Sequence, residues 1–266
     1  MINYYDEGSD GRENAKKATI PTGSVIEKLD EYLAADDYAA AERHLTFWLG
    51  EAEEAGDLRG KLTVLNEQIA LYRKAERGVE SLTAAETALR TVERLGLSGS
   101  VTEGTTLVNA ATAYRAFGQA EKAKELYEKA RAIYEGTLSE SDRRLGGLYN
   151  NEASTLASLG EYEKAKELYA RALSVMEKNE GSEAERAVTY CNLADLYAEE
   201  QGLEDGEPSI REALHNAETL LDCEAIPRNG YYASVCEKCA PTFGYYGYFL
   251  QERELMRRAA QIREKR

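Results

Sequence analysis

The sequence predicts an all-α fold in which helical hairpins stack into a solenoid, and two observations carry that prediction. The 266 residues include only four prolines, and long stretches are dominated by Ala, Glu, Leu, Lys and Tyr, whereas Val and Ile are too scattered to indicate a sheet. In addition, residues 107–135 and 149–177 nearly superimpose, so that Gly118 matches Gly160 at a separation of 42 residues. Self-similarity at this period is typical of arrays in which each unit buries its apolar face against its neighbours.

Each unit divides into two helices around its glycine. The first helix has a small residue followed three positions later by an aromatic residue or Leu, as in Ala111 and Tyr114. The second helix has Ala, a large residue four positions on and a small residue three further, as in Ala123, Tyr127 and Ala130. Spacings of three and four place these side chains on one face of each helix. Small residues allow two helix axes to approach closely, and the large residue fills the space beside them.

The same columns extend to six units, which we expect to form one domain over residues 21–266. The predicted units are residues 22–59, 60–98, 101–138, 141–180, 183–224 and 229–266. The outer units are less regular: Ala75 replaces the glycine in the second unit, and Glu252 occupies an alanine position in the last. The glutamate weakens the case for the second helix of the last unit. Residues 1–20 match no column and predict a mobile N-terminal tail.

The stretch YNNEASTLASLGEYEKAKELYARAL, at residues 149–173, resembles the tetratricopeptide repeat family. Its spacing of about 42 residues is similar to that of the kinesin light chain type of repeat. The resemblance covers roughly residues 22–265 and is most specific over residues 105–217. It implies a right-handed α–α superhelix of about six helical hairpins, whose general role is protein–protein interaction.

A column of asparagines lies two residues before the small residue of consecutive first helices. Its members, with the residues at the same position in the outer units, are Glu27, Asn66, Asn109, Asn151, Asn192 and Lys238. Asn is unfavourable inside a helix, so a compensating interaction is expected, and an amide can pair with both groups of a peptide unit. The resemblance implies that a bound extended peptide is gripped along its backbone by Asn66, Asn109, Asn151 and Asn192, with the adjacent Asn150. The alternative is that these amides join one repeat to the next through internal hydrogen bonds.

Five further side chains are predicted by helical spacing to share the concave side with the asparagines. They are Tyr72, Thr105, Thr112, Arg115 and Asp195. Their mixed chemistry names no ligand. The basic residues are too scattered to match the carboxylate-clamp arrangement of the family, so the sequence does not indicate a C-terminal carboxylate as the ligand.

Cys236 and Cys239 form a Cys-x-x-Cys pair in the tyrosine-rich stretch of residues 230–249. In register with the repeats, both lie on the packing face of a first helix, where a free cysteine packs as a small apolar residue. A zinc site needs four ligands, and no second pair with ligand spacing exists among Cys191, Cys223, His44 and His215. We therefore expect structural thiols and no bound metal. A metal or thiol-redox module at this pair is the alternative function.

Pro241 and the surrounding tyrosines give the same stretch a second unusual feature. Repeat packing does not require a proline there, and a proline inside a helix is expected to bend it. Tyrosines supply large, rigid contact area with a polar tip, which is typical of interfaces. The stretch is therefore predicted to be either an interaction surface or a cap that closes the end of the array.

Composition limits the partners and the location. The net charge of −15 argues against nucleic acid and anionic membranes as partners, and it mildly favours a basic protein partner through electrostatic steering. No apolar run approaches the roughly 20 residues needed to span a bilayer. Because the sequence starts without a signal-peptide pattern, its four cysteines are expected to be reduced and the protein cytoplasmic.

The predicted function is that of a scaffold or regulator that binds an extended peptide or protein segment in a concave groove. The two histidines have no nucleophile and acid in a recognisable arrangement, and the sequence has no glycine-rich phosphate loop. We therefore expect no catalysis and no cofactor. The irregular outer repeats leave a self-associating structural solenoid as a further alternative, and the sequence does not decide between a monomer and a dimer.

Overall fold

The computed structural model describes residues 19–264, and within this range all regular structure is helical. The helices form six consecutive hairpins, which confirms the predicted all-α repeat fold. Residues 1–18, which make up most of the predicted tail, lie outside the described residues. None of the helices between residues 19 and 264 combines the length and apolar character that crossing a bilayer requires.

The helices are α1 (Thr22–Ala34), α2 (Tyr38–Glu54), α3 (Leu58–Lys74), α4 (Gly78–Arg94), α5 (Val101–Ala116), α6 (Ala120–Thr137), α7 (Arg143–Ser158), α8 (Tyr162–Glu177), α9 (Glu183–Asp205), α10 (Glu207–Leu221), α11 (Gly230–Tyr245) and α12 (Phe249–Glu264).

Each hairpin turns through one residue in the left-handed backbone region. These residues, with φ from 53° to 84°, are Asp36, Glu76, Gly118, Gly160, Gly202 and Gly247. Glycine adopts positive φ without steric cost, which explains its recurrence. In the second hairpin the left-handed residue is Glu76, with φ 58°, so the alignment that put Ala75 in the glycine column was wrong by one position. From Glu76 to Gly202 the turns therefore keep a constant step of 42 residues.

The fifth hairpin has a longer connection than the others. At Gly202, φ of 81° and ψ of 169° interrupt the helical backbone before α9 ends at Asp205. Pro208 lies in the first turn of α10. The missing N–H of proline has no cost there, because the first N–H groups of a helix have no intrahelical partner.

The last hairpin is complete despite the glutamate in its alanine column. Glu252 lies in the first turn of α12, a helix of 16 residues. A Cβ built on Gly244 of α11 would lie only 2.5 Å from Cδ of Glu252. The Glu252 side chain is larger than the alanine expected at this position, and the absence of a side chain at Gly244 provides the space for it. The change in α12 is therefore compensated by a glycine in α11.

Alanines mark the points where helices cross most closely. Eight alanines of the described second helices have no exposed surface, namely Ala41, Ala85, Ala88, Ala123, Ala130, Ala165, Ala172 and Ala217. Tyr127 and Tyr169 fill the space beside them and are buried as well. The main core runs from α3 to α12, and a smaller cluster joins the first hairpin to α3 through Val64 and Leu71. Each hairpin thus shares its core with the next.

The two ends of the array are in contact. Arg263 of α12 forms a bidentate pair with Glu237 of α11 and lies 3.6 Å from a carboxylate oxygen of Asp36 in the α1–α2 turn. These side chains are partly exposed, so we assign the Asp36 contact only about 0–1 kcal/mol of stability. Its importance is geometric: α11 and α12 close back towards the first hairpin, and the first helices surround a concave interior.

A buried glycine and an exposed glycine near the start of neighbouring first helices provide a test of the packing. At Gly104 in α5 a Cβ would lie 2.5 Å from the ring of the buried Tyr134, whereas at Gly147 in α7 it would meet nothing within 4 Å. We expect Gly104→Ala to lower the free energy of unfolding by about 1–2 kcal/mol, because overpacking outweighs the gain in helix propensity. We expect Gly147→Ala to raise it by about 0.5–1 kcal/mol.

The measurement is urea unfolding followed by circular dichroism, with both variants compared with the unmodified chain. A Gly104→Ala protein as stable as the Gly147→Ala protein would contradict the close contact between α5 and the ring of Tyr134.

Candidate functional site

The asparagines of the column lie on neighbouring first helices and contact one another. Asn109 Nδ2 of α5 donates to Asn66 Oδ1 of α3 at 2.9 Å. Asn192 Nδ2 of α9 donates to Asn150 Oδ1 of α7 at 3.0 Å. Asn66 also donates to the carbonyl of Leu62 one turn earlier, at 3.0 Å. The amides therefore form the internal hydrogen bonds that were one of the two interpretations of the column.

In α7 the asparagine that bonds to its neighbour in the column is Asn150, whereas the sequence pattern had assigned this position to Asn151. Asn150 is buried and holds Asn192, and it makes only a long contact of 3.5 Å to Asn151. The carbonyl oxygens of Asn109 and Asn192 accept no hydrogen bond within the described part of the chain, and neither oxygen is buried. The amide group of Asn151 likewise has no acceptor among these residues. Each internal pair thus leaves polar atoms available at the surface.

A pocket of about 400 Å³ lies where α5, α7 and α9 meet, and we call it the Arg115 pocket. The residues that give it its chemistry are Arg115, Ser154, Tyr169, Asn192, Asp195 and Glu199. Three of the predicted residues, Arg115, Asn192 and Asp195, therefore line a single pocket. Arg115 donates to Ser154 Oγ at 3.2 Å, and its Nε is buried without a hydrogen-bond partner. An unpaired buried donor is costly, so this pocket contains a guanidinium whose hydrogen bonds are incomplete.

A second pocket of about 480 Å³ adjoins the first, because both are lined by Asp195 and Glu199. Its other wall is formed by Leu203, Tyr245 and Tyr246, and we call it the Tyr246 pocket. The two pockets together are called the groove below. Burial raises the pKa of Asp195 and of Glu199, and the Glu199 charge adds to the rise at Asp195.

Tyr246 connects α9 to the end of α11. Its hydroxyl donates to the Asp195 carboxylate at 3.1 Å and to the Ala194 carbonyl at 3.3 Å. Tyr245 beside it is largely exposed. The tyrosine-rich stretch therefore contributes to the core and also to one wall of the groove.

The three remaining predicted residues engage the second helices. Thr112 hydrogen-bonds with Tyr127 and Thr105 with Tyr134, both at 2.8 Å. Tyr72 donates to Glu42 at 3.4 Å. Neither Thr105, Thr112 nor Tyr72 lines the Arg115 or the Tyr246 pocket. Their part in a site remains a prediction.

Sequence reasoning did not link three basic residues, Arg73, Arg115 and Lys238, whose charges influence one another. Arg73 on α3 precedes Arg115 by one period of 42 residues, which is a signal the sequence contained. Lys238 on α11 belongs to the asparagine column, but the sequence pattern does not show which side chains it faces. Desolvation lowers the pKa of Arg73, with a further contribution from Arg115. Desolvation also lowers the pKa of Lys238, and Arg115 and Arg73 both contribute to the decrease.

The Cys-x-x-Cys pair lies inside the core. Cys236 and Cys239 are 0% and 1% exposed, and burial raises the pKa of the Cys236 thiol. Within residues 19–264, no group of three or more His, Cys, Asp or Glu side chains is placed to hold a metal ion. Pro241 lies inside α11 and is exposed.

Several solved structures share this fold at low sequence identity. A putative kinesin light chain from Podosopora anserina with nearly identical TPR-like repeats is 19% identical with a TM-score of 0.53, covering 77% of this chain and 96% of that chain. The apo form of RapI is 16% identical with a TM-score of 0.62, covering 92% and 98%. A Rap protein complexed with competence and sporulation factor is 15% identical with a TM-score of 0.60, covering 92% and 64%. No match was found among curated proteins.

The family comparison covers the most regular part of the array. The family model for the tetratricopeptide repeat matches residues 61–136 and 144–218, which together are more than half of the chain. These ranges contain most of α3 to α10, where the 42-residue step of the turns is constant. The chain belongs to the tetratricopeptide repeat family.

Proposed function

We propose that the protein is a scaffold or regulator that binds an extended peptide or protein segment in the groove. The observation that carries the proposal is the Arg115 pocket, where Arg115, Asn192 and Asp195 converge and the Arg115 Nε is buried and unpaired. A peptide backbone offers alternating carbonyl and N–H groups, which such a mixture of donors and acceptors can match. The free amide atoms of Asn109, Asn151 and Asn192 extend this polar surface along the first helices.

The spacing of the first helices suits an extended chain. Neighbouring helix axes lie about 10 Å apart, and an extended peptide rises about 3.3 Å per residue. A bound segment would therefore meet an asparagine at roughly every third residue. The internal hydrogen bonds between Asn66 and Asn109 and between Asn150 and Asn192 fix the amides in place, which lowers the entropy that binding must remove.

Protein interaction is common to this family, and one structurally similar Rap protein was solved with competence and sporulation factor. At 15% identity this likeness supports the fold, so the identity of any ligand here is our own inference. The net charge of −15 favours a partner with basic surface during encounter. The four unpaired cysteines suit the reducing cytoplasm. We propose a non-enzymatic role.

A peptide selection tests the groove. A phage-displayed library of random peptides about twelve residues long would pass four first helices at about three residues each. We expect the unmodified protein to select a family of peptides. Asn151→Ala is expected to weaken the best of them by about 2- to 10-fold, the value of one lost hydrogen bond. Fluorescence polarisation measures the affinities, and Asn216→Ala, on a second helix, is the control expected to bind normally.

Asn109→Ala separates binding from stability, because Asn109 also bonds to Asn66. We expect it to lower both the affinity for the peptide and the free energy of unfolding, the latter by about 0.5–1.5 kcal/mol. If both asparagine variants bind every selected peptide normally and Asn109→Ala only loses stability, the column has the structural role alone. Selection of no peptide at all would reject the groove as a binding site.

The alternative at the cysteine pair has its own test. Cys191, Cys236 and Cys239 are buried, whereas Cys223 is partly exposed, and only a thiolate reacts rapidly. We expect native alkylation followed by mass spectrometry to label Cys223 first and the other three slowly, and the Cys223→Ser protein to have no fast thiol. Rapid labelling of Cys236 and Cys239, or stoichiometric zinc in the purified protein, would support a metal or redox module.

A further inference from the structure

We propose that the Tyr246 pocket recognises the positively charged side chain of a Lys or Arg residue in the bound segment. This inference rests on the proposed function, because it names the class of residue that the segment presents at one end of the groove. The pocket combines two carboxylates, two tyrosine rings and an exposed leucine. These side chains come from α9 and from the end of α11.

Asp195 and Glu199 supply the negative charge of the pocket. They lie one helical turn apart on α9, so both can face the same ligand. Within residues 19–264 neither carboxylate forms an ion pair, and burial raises the pKa of both. Arg115 lines the adjoining pocket with them, but its guanidinium donates to Ser154 Oγ. A cation bound between the two carboxylates would offset their desolvation and their mutual repulsion.

Tyr245, Tyr246 and Leu203 supply the apolar part of the pocket. Tyr245 and Leu203 are 72% and 56% exposed, although both side chains are large and apolar. The rings of Tyr245 and Tyr246 meet edge to face, with their centroids 5.0 Å apart. Exposed apolar surface with a polar rim marks a place where a partner is bound. The pocket therefore suits a ligand that has both an apolar and a charged part.

Lys and Arg side chains have this composition. Their apolar stems pack along apolar surface while the charged head stays in a polar environment. The stem would lie against Leu203 and the ring of Tyr245, which also attracts a cation, and the head would bond to Asp195 and Glu199. An acidic side chain would be repelled. A purely apolar one would desolvate the carboxylates without giving them a partner.

A hydrogen bond from Tyr246 holds the two walls of the pocket in place. The hydroxyl donates to Oδ1 of Asp195 at 3.1 Å and to the Ala194 carbonyl at 3.3 Å, which joins the end of α11 to α9. Oδ2 of Asp195 accepts no hydrogen bond within the described part of the chain and is not buried. A ligand cation can therefore bind to Asp195 while the bond from Tyr246 stays intact. Such a preformed site reduces the entropy lost on binding.

The test uses the phage-displayed peptide library on the full chain and examines which residues are selected. We expect one position of the selected peptides to be enriched in Lys or Arg. Replacing that residue of the best peptide by Gln is expected to weaken binding by about 10-fold or more, the value of a charge-assisted hydrogen bond. In the Glu199→Gln protein the same replacement is expected to cost less, because the two partners then no longer interact fully.

Charge reversal gives the sharpest outcome. Glu199 is exposed, so Glu199→Lys is expected to keep the helical circular dichroism spectrum of the unmodified chain. We expect it to lose the preference for Lys or Arg at the selected position and to favour Asp or Glu there. Added salt is expected to weaken the best peptide less in the Glu199→Gln protein than in the unmodified chain.

Matched controls separate the pocket from the general charge of the protein. Glu125→Gln removes an exposed carboxylate on a second helix, and Phe249→Ala removes an exposed ring that lines neither pocket. Both are expected to bind the best peptide normally, whereas Tyr245→Ala is expected to weaken it by about 3-fold or more. Free arginine is expected to displace the peptide only poorly, because it lacks the contacts of the segment with the rest of the groove.

The outcomes distinguish this inference from the proposed function. Peptides selected without a basic residue at a fixed position would overturn the cation pocket and leave the proposed function standing. A general excess of basic residues that Glu199→Lys does not change would reflect the net charge alone and would also overturn it. Free arginine that competes as well as the peptide itself would make the pocket a small-molecule site instead. Failure to select any peptide would overturn both proposals.

Discussion

The close approach of helices at buried alanines is the constraint on which the rest of this structure depends. Ala123, Ala130, Ala165 and Ala172 have no exposed surface, and Tyr127 and Tyr169 fill the space that these small side chains leave. No single hairpin can bury such a face alone, so each one requires its neighbour. Stacking in turn places the first helices side by side at regular intervals. Side chains one period apart in the sequence therefore become neighbours in space, and the asparagine pairs follow from that.

The asparagine pairs show how one set of residues can have a structural and a binding role. An amide has two N–H groups and two acceptor positions on its oxygen. The pair Asn66–Asn109 uses only part of this capacity, and so does the pair Asn150–Asn192. The internal bonds fix the amides in defined orientations, while the remaining polar atoms stay at the surface. The internal hydrogen bonds are thus compatible with the proposed binding role of the column.

Local repetition made the helices, the turns and much of the core predictable. Gly118 and Gly160 identify their turns because glycine is favoured at positive φ, whereas Glu76 takes the same conformation without any such signal. The sequence also could not distinguish Asn150 from Asn151, because adjacent residues on a helix differ by about 100° in direction and only the packed neighbour decides between them. The compensation of Glu252 by Gly244 links two different helices. A pattern within one column does not contain that information.

The mutual influence of Arg73, Arg115 and Lys238 depends on a different property, the closing of the whole array. Periodicity fixes the relation of each repeat to the next, but small rotations accumulate over six hairpins and decide which distant residues meet. The contact between Arg263 and Asp36 reports the result of that accumulation. This contact is exposed and weak, so it cannot itself hold the two ends of the array together. Packing throughout the array must therefore bring the ends close, and the ion pair forms as a result. Desolvation lowers the pKa of Arg73 and of Lys238, and the charge of Arg115 adds to the decrease in both. A core that continues from one hairpin to the next can maintain such an arrangement.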